Sequence, residues 1–134
     1  MPEPMNLFGL VQRGMSAQMV RMNAAASNLA NAGSVAGSEN EAYRALRPVF
    51  GEELDRASGL STVRIDSVTR SDNAPTKRHE PGHPLADANG DVWEAAVDET
   101  AEMVEIMDSS RQYQNLVEAM QTAKQLMLDT MRIK

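Results

Sequence analysis

The stretch His79-Glu80-Pro81-Gly82-His83 has the H-E-x-x-H spacing of zinc hydrolases. That chemistry needs a helix. Two His at i and i+4 project from one face to hold Zn²⁺, and the Glu between them acts as general base on the metal-bound water. Pro81 disfavours the α conformation at Glu80 and has no N–H to donate. Gly82 weakens a helix by about 1 kcal/mol relative to Ala, and Pro84 follows at once. The five residues therefore read as a turn. His79 and His83 are the only histidines and there is no Cys, so a third ligand would have to be a carboxylate such as Asp87 or Asp91. The expectation is two loop histidines, no metal and no cofactor, with a zinc-dependent hydrolase as the alternative reading. The sequence has no phosphate-binding glycine loop, dinucleotide fingerprint or nucleophile elbow, and Ser109-Ser110-Arg111 is a polar helix patch rather than a triad. No catalytic residue is assigned, and the chain reads as a non-enzyme.

The elements that hold this loop follow from how residue types are distributed. At 134 residues the chain is one domain's worth, with only 4% aromatic residues to anchor a core. A net charge of −6 argues against nucleic acid and anionic membrane surfaces. No apolar run approaches the ~18 residues that span a bilayer. The start, MPEPMNLFGLVQRGM, lacks the positive n-region of a secretory signal. Ten Met fall in two groups, five in residues 1–32 and five in residues 97–134, while Pro48, Pro75, Pro81 and Pro84 punctuate the middle. Three segments result: 1–32, 33–96 and 97–134.

The first and last segments have helical periodicity. In residues 5–31, Phe8, Met15, Met22 and Leu29 recur every seven residues, and Val11, Ala25 and Ala32 form a second set with Gln18 as its polar exception. Gly33 is the expected C-cap. At 1.5 Å per residue this helix is about 40 Å long. In residues 97–132, Asp98 or Thr100 can cap the start, and Asp98, Glu99, Glu102 and Glu105 suit the positive end of the dipole. The apolar stripe is Met103, Ile106, Tyr113, Leu116, Val117, Met120, Ala123, Met127 and Met131. A helix of roughly 50 Å suggests a coiled coil or bundle.

The middle reads as β. Tyr43 to Phe50 is a candidate strand, made an edge by Pro48. Ser61 to Thr69 carries Val63, Ile65 and Val68, an alternation that slips once and so implies a bulge. Asn89-Gly90 has the composition of a type I′ turn, joining Leu85-Ala86 to Val92-Trp93 as a hairpin. Residues 33–41 read as a flexible connector. The expected class is mainly α with a β insert: long N- and C-terminal helices forming a coiled coil or bundle, and a small β-rich central region with a hairpin.

Two readings of the stripes stand side by side. The helices can pack on each other within one subunit. They also outreach the β region, which leaves part of each apolar face for other chains, and Met adapts to slightly different neighbours. Residues 1–32 hold one acid and two bases, and residues 97–134 hold seven acids and four bases. That contrast suits an inner N-terminal helix and an outer C-terminal one.

The segment GMSAQMVRMNAAASNLANAGS, with Ser27-Asn28-Leu29-Ala30-Asn31-Ala32 at its centre and Tyr43-Arg44 after it, resembles the N-terminal signature of the bacterial flagellar rod, hook and related axial proteins. The loop Pro81-Gly82-His83-Pro84-Leu85-Ala86-Asp87 with Asn89-Gly90 resembles that of the short proximal rod members. So do Glu102-Met103-Val104, Ser110-Arg111-x-Tyr113-Gln114 and Thr122-Ala123-Lys124. The resemblance implies a structural subunit of the rod that spans the periplasm. Its terminal helices would bundle across subunits around an export channel, with the β-rich part outside. Phe8, Val11, Met15, Met22, Ala25 and Leu29 would pack subunits on one helix and the Met103-to-Met131 stripe on the other. Pro81, Gly82, His83, Pro84, Asp87, Asn89 and Gly90 form the family-motif loop. Implied partners are copies of itself, other rod proteins and the export base of the basal body, without nucleic acid or membrane insertion. Implied export is through the flagellar type III apparatus without a cleaved signal peptide. A coiled-coil scaffold unrelated to flagella is the further alternative.

Overall fold

The computed structural model describes residues 4–56 and 59–133. Helix α1 (Pro4–Ala30) leads through strand β1 (Val35–Ala36) to a long hairpin of β2 (Leu46–Asp55) and β3 (Leu60–Arg70). Strands β4 (Thr76–His79) and β5 (Asp91–Glu94) follow, and helix α2 (Glu99–Ile133) ends the described chain. Two long helices packed on each other with a central antiparallel β region make the fold mainly α with a β insert.

The two helices run antiparallel. Gly14 of α1 meets Leu116 of α2, and seven residues further along, Arg21 meets Glu105 and Asp108. Small residues permit the approach: a Cβ at position 14 would lie 3.1 Å from Leu116 Cδ1. Ala17, Ala24 and Ala25 are buried along the same helix. Ser109 is fully buried opposite them and donates its hydroxyl hydrogen back to Glu105 O (2.7 Å), which satisfies it without a tertiary partner. Ten residues back from Gly14 is Pro4, and ten forward from Leu116 is Leu126. The last seven residues of α2 thus extend past the first described residue of α1 by about 10 Å.

β2 lies along α1. Leu46 is tied to Asn28, and seven residues on, Glu53 pairs with Arg13, fifteen residues back on the helix. Seven strand residues at ~3.3 Å and fifteen helical ones at 1.5 Å both span roughly 22 Å, so the two elements stay in step. The slipped alternation in β3 is a bulge. Val49 pairs with Ser67 and Phe50 with Ile65, which leaves Asp66 as the extra residue. The strand begins at Leu46, not at Tyr43. Leu46 turns its N–H and C=O away from β3 towards Asn28, and by the strand's alternation Pro48 turns its nitrogen the same way, where no ladder bond is lost.

Several local expectations change. Residues 33–41 are not simply a connector, because Val35 and Ala36 pair with Glu94 and Trp93 of β5. β5 thus becomes the middle of a three-stranded sheet in the order β1-β5-β4. The partner of Val92-Trp93 across the hairpin is Lys77-Arg78 and not Leu85-Ala86, which lie in the intervening loop. The turn at Asn89-Gly90 is not type I′. Among the described residues only Gly59 and Gly90 have positive φ, and type I′ needs two successive such residues. Gly90 N–H instead donates to Asp87 O (2.9 Å), with Gly90 itself left-handed at φ 78°. Gly33 does not take the left-handed cap conformation, and α1 ends in a turn in which Ser34 N–H donates to Asn31 O (3.1 Å). At α2 the expected cap is present: Asp98 Oδ1 accepts from Ala101 N–H at 3.2 Å.

Candidate assembly surface and its polar latch

Asn28 occupies the centre of the Ser27–Ala32 motif and is fully buried. Its side chain imitates a neighbouring strand. Oδ1 accepts from Leu46 N–H (2.7 Å) and from the Tyr43 hydroxyl (2.7 Å), while Nδ2 donates to Leu46 O (3.0 Å). Ser27 Oγ lies 3.0 Å from the same Tyr43 hydroxyl, and Asn31 Nδ2 donates to Ser27 O (2.8 Å). Arg70 stacks over the Tyr43 ring at 5.3 Å from its centroid. Ser27, Asn28 and Asn31 of the motif with Tyr43 and Leu46 thus form one hydrogen-bonded latch, fixing the start of the β2–β3 hairpin to the end of α1.

A second polar contact joins the hairpin to α2. Glu102 is 1% exposed, although its place in the first turn of α2 suggests a solvated acid favoured by the helix dipole. Arg47 Nη2 of β2 lies 2.6 Å from Glu102 Oε1. That distance makes an ion pair, but its angle falls short of a hydrogen bond, and neither carboxylate oxygen has a hydrogen-bond partner. The contact is therefore chiefly coulombic. A third clamp lies between the helices. Arg21 donates to Glu105 (2.7 Å), Asp108 (2.9 Å) and Gln18 (2.8 Å). The bond to Glu105 holds the guanidinium above its usual pKa against the opposing effect of burial.

The histidine stretch is not helical. His79 ends β4 and His83 lies in the turn after it. His79 Nδ1 lies 2.9 Å from Asp91 Oδ1, and His83 Nδ1 accepts from Leu85 N–H at 3.0 Å, so the two rings serve different local contacts. No three His, Asp or Glu among the described residues are grouped to hold a metal ion. The hydrogen bond from His79, with help from Lys77, holds Asp91 below the usual carboxylate range against its desolvation. Asp87 Oδ1 accepts from Asn89 and Asp91 N–H, and Pro81 packs on Gly90, where a Cβ would sit 3.1 Å from Pro81 Cγ. The motif loop is thus folded on itself by Asp87, Pro81 and Gly90. Gly82 has open space around it.

The sequence-assigned stripes are mostly buried or half-buried within the subunit. Val11 and Ala25 are buried, and Phe8, Met15, Met22 and Leu29 are half-buried. On α2, Ala123 is buried, and Ile106, Tyr113, Leu116, Val117, Met120 and Met127 are half-buried. Met103 and Met131, at the two ends of the stripe, are 49% and 67% exposed. Val104, Met107, Leu126, Leu128 and Ile133 lie outside the heptad stripe and are exposed as well. Periodicity finds the face that the rest of the chain covers and overlooks apolar residues scattered round the rest of the cylinder. Asn28 has a sequence signal in its spacing, with buried Ala24, Ala25 and Ala32 at i−4, i−3 and i+4, whereas Glu102 lies between exposed Ala101 and Met103 and has none. Arg47 carries no signal either.

Comparison with known proteins gives the family. A family model described as the C-terminal region of the flagellar basal body rod FlgEFG proteins matches residues 88–133, which span β5 and α2. Over 132 residues, 96% of each chain, the protein is 46% identical to the flagellar basal-body rod protein FlgC of Salmonella typhimurium. It is 44% identical to that of Escherichia coli O157:H7 over the same share. The FlgC of Agrobacterium fabrum is 28% identical over 118 residues, 87% of this chain. With near-complete coverage at this identity, the chain belongs to the FlgC family of flagellar basal-body rod proteins.

Proposed function

We propose that this structural rod subunit is a non-enzymatic building block of the proximal rod. It polymerises through α1 and α2 into a hollow helical shaft that surrounds an export channel and transmits torque. The observation that carries the reading is the apolar surface left on the terminal helices: Met103, Val104, Met107, Leu126, Met131 and Ile133 are each about half exposed or more. An apolar surface of this kind on a structural protein is a site of association. The half-buried residues Phe8, Met15, Met22 and Leu29, with Ile106, Tyr113, Leu116, Val117, Met120 and Met127, would complete their burial against neighbouring subunits, with Val11, Ala25 and Ala123 beneath them. Residues 1–32 and 97–134 would form the axial bundle. Residues 33–96, with the loop Pro81-Gly82-His83-Pro84, Asp87 and Asn89-Gly90, would lie outside it. The partners would be copies of the chain, other rod proteins and the export base. No described helix is long and apolar enough to cross a membrane. Export would proceed through the flagellar type III apparatus without cleavage of a signal peptide.

The test is motility of a deletion strain complemented with truncated chains. Removing residues 1–12, or the last turns of α2, should abolish swimming and rod assembly while leaving the central region folded. Full swimming with either end removed would contradict the proposal.

A further inference from the structure

The methionines among the described residues fall into two environments. Met15, Met22, Met120 and Met127 are half-buried. Met103, Met107 and Met131 of α2 are instead 49%, 65% and 67% exposed, and Met19 of α1 is 39% exposed. Met103 and Met107 stand at i and i+4, so their thioethers share one face, and Met131 lies near the other end of the helix. The other large apolar residues exposed on α2 are Val104, Leu126, Leu128 and Ile133, whose alkyl groups are inert to mild oxidants. A thioether is not inert: it is soft, polarizable and readily oxidised. The chain has no cysteine, so no thiol of its own competes for an oxidant.

Given association through the apolar surface of α2, on which this inference rests, we propose that Met103, Met107 and Met131 are a modification site. A two-electron oxidant of the peroxide class converts their thioethers to sulfoxides in the free subunit and so blocks assembly without unfolding the chain. The sulfur lone pair attacks one oxygen of hydrogen peroxide. An S–O bond forms and the O–O bond breaks, and the departing hydroxide takes the proton of the transferred hydroxyl and leaves as water. Sulfur is oxidised by two electrons and the peroxide is reduced by two. The product is polar and chiral, with a strong acceptor where the apolar sulfur was. In the free subunit that oxygen stays in water, because the three side chains are already exposed. On association it loses that water, at a cost in free energy that the thioether does not carry. Exposure thus separates the two consequences: folding ignores the change and assembly does not. In the assembled form neighbouring subunits cover the same sulfurs and protect them. A dithiol reductant of the methionine sulfoxide reductase class reverses the change, yielding a disulfide and water.

Peptide mass spectrometry after dilute hydrogen peroxide reads each site, in the purified full-length chain and in isolated basal bodies. In the free chain Met103, Met107 and Met131 should gain oxygen several-fold faster than Met15, Met22, Met120 and Met127, with Met19 between, and with helix content and the urea midpoint unchanged. In basal bodies the three should slow to the rate of the half-buried ones. A full-length Met103→Gln/Met107→Gln/Met131→Gln chain puts an uncharged acceptor at each site. It should keep the parent's helix content and, as the sole copy in its cells, be lost from basal bodies. Half-buried methionines that react as fast in the free chain overturn the proposal, as does unfolding when the three sites are oxidised or substituted. Rods built from the Gln variant overturn it too. Fast oxidation of the three in basal bodies overturns this site while leaving polymerisation through other residues intact. Absence of the unsubstituted chain from basal bodies overturns the polymerisation reading itself, and this site with it.

Discussion

The junction of α1, β2 and α2 buries polar groups, whereas the tip of α2 exposes apolar ones. At the junction, Asn28 and Glu102 have essentially no access to water and are tied to Leu46, Tyr43 and Arg47. At the tip, Leu126, Met131 and Ile133 are 61%, 67% and 87% exposed. Buried polar contacts add little net stability, but they penalise every arrangement that leaves them unmade, so they fix one geometry. Exposed apolar surface fixes no geometry within the subunit and leaves hydrophobic free energy to be gained on association. The first region sets how the hairpin stands on the helix pair, and the second is free to bind.

Substitutions should separate the two regions cleanly. The largest effect on folding is expected for Asn28→Leu, which orphans the N–H and C=O of Leu46 and one bond of the Tyr43 hydroxyl. At about 1–3 kcal/mol for each buried group left unsatisfied, the loss should be roughly 3 kcal/mol. Urea denaturation of the full chain measures it, and an unchanged midpoint would show that the latch is not structural. Arg47→Ala should come next. Removing one partner of a fully buried pair costs about 3–5 kcal/mol, but Arg47 is half exposed, so roughly 2 kcal/mol is expected. The double variant Arg47→Met/Glu102→Met should recover most of that loss, because it removes the buried charge as well. If the double variant is as unstable as Arg47→Ala, Glu102 is not the source of the cost.

A smaller, local effect should follow from pH. The folded carboxyl of Asp91 lies below its unfolded value, so its contribution is present above the ordinary carboxylate range and is lost as pH falls through its folded pKa. Amide protection factors of the β4–β5 ladder, which correct for the intrinsic pH dependence of exchange, should therefore fall below about pH 4. Asp91→Asn should remove most of that dependence. The smallest effect on folding is expected for Met131→Asp, within about 0.5 kcal/mol of the parent because the site is on the surface. The same substitution should stop rod assembly, as read by motility and by recovery of the chain in basal bodies. A tip variant that swims normally would break the contrast between the regions from the other side.

The residues alone determined the two long helices, a cap at Asp98 or Thr100, the bulge in β3 and the non-helical character of His79–His83. Each depends on neighbours within a few positions: a repeat of seven, an acceptor three residues before an amide, a slipped alternation, a proline after a glutamate. They could not determine that Val35-Ala36 is a strand, because a two-residue ladder exists only where β5 offers a free edge. The hairpin arm at Thr76–His79 has the same origin. Its alternation is polar on both faces, and only pairing with Asp91–Glu94 distinguishes it from loop. Nor could the residues show that Glu102 is buried under Arg47 from 55 positions away, or that Asn28 stands in for a strand. Burial and polar pairing belong to the assembled chain. Periodicity reveals that a helix has an apolar face, but tertiary packing decides how much of that face the subunit's own chain covers and how much it leaves for another.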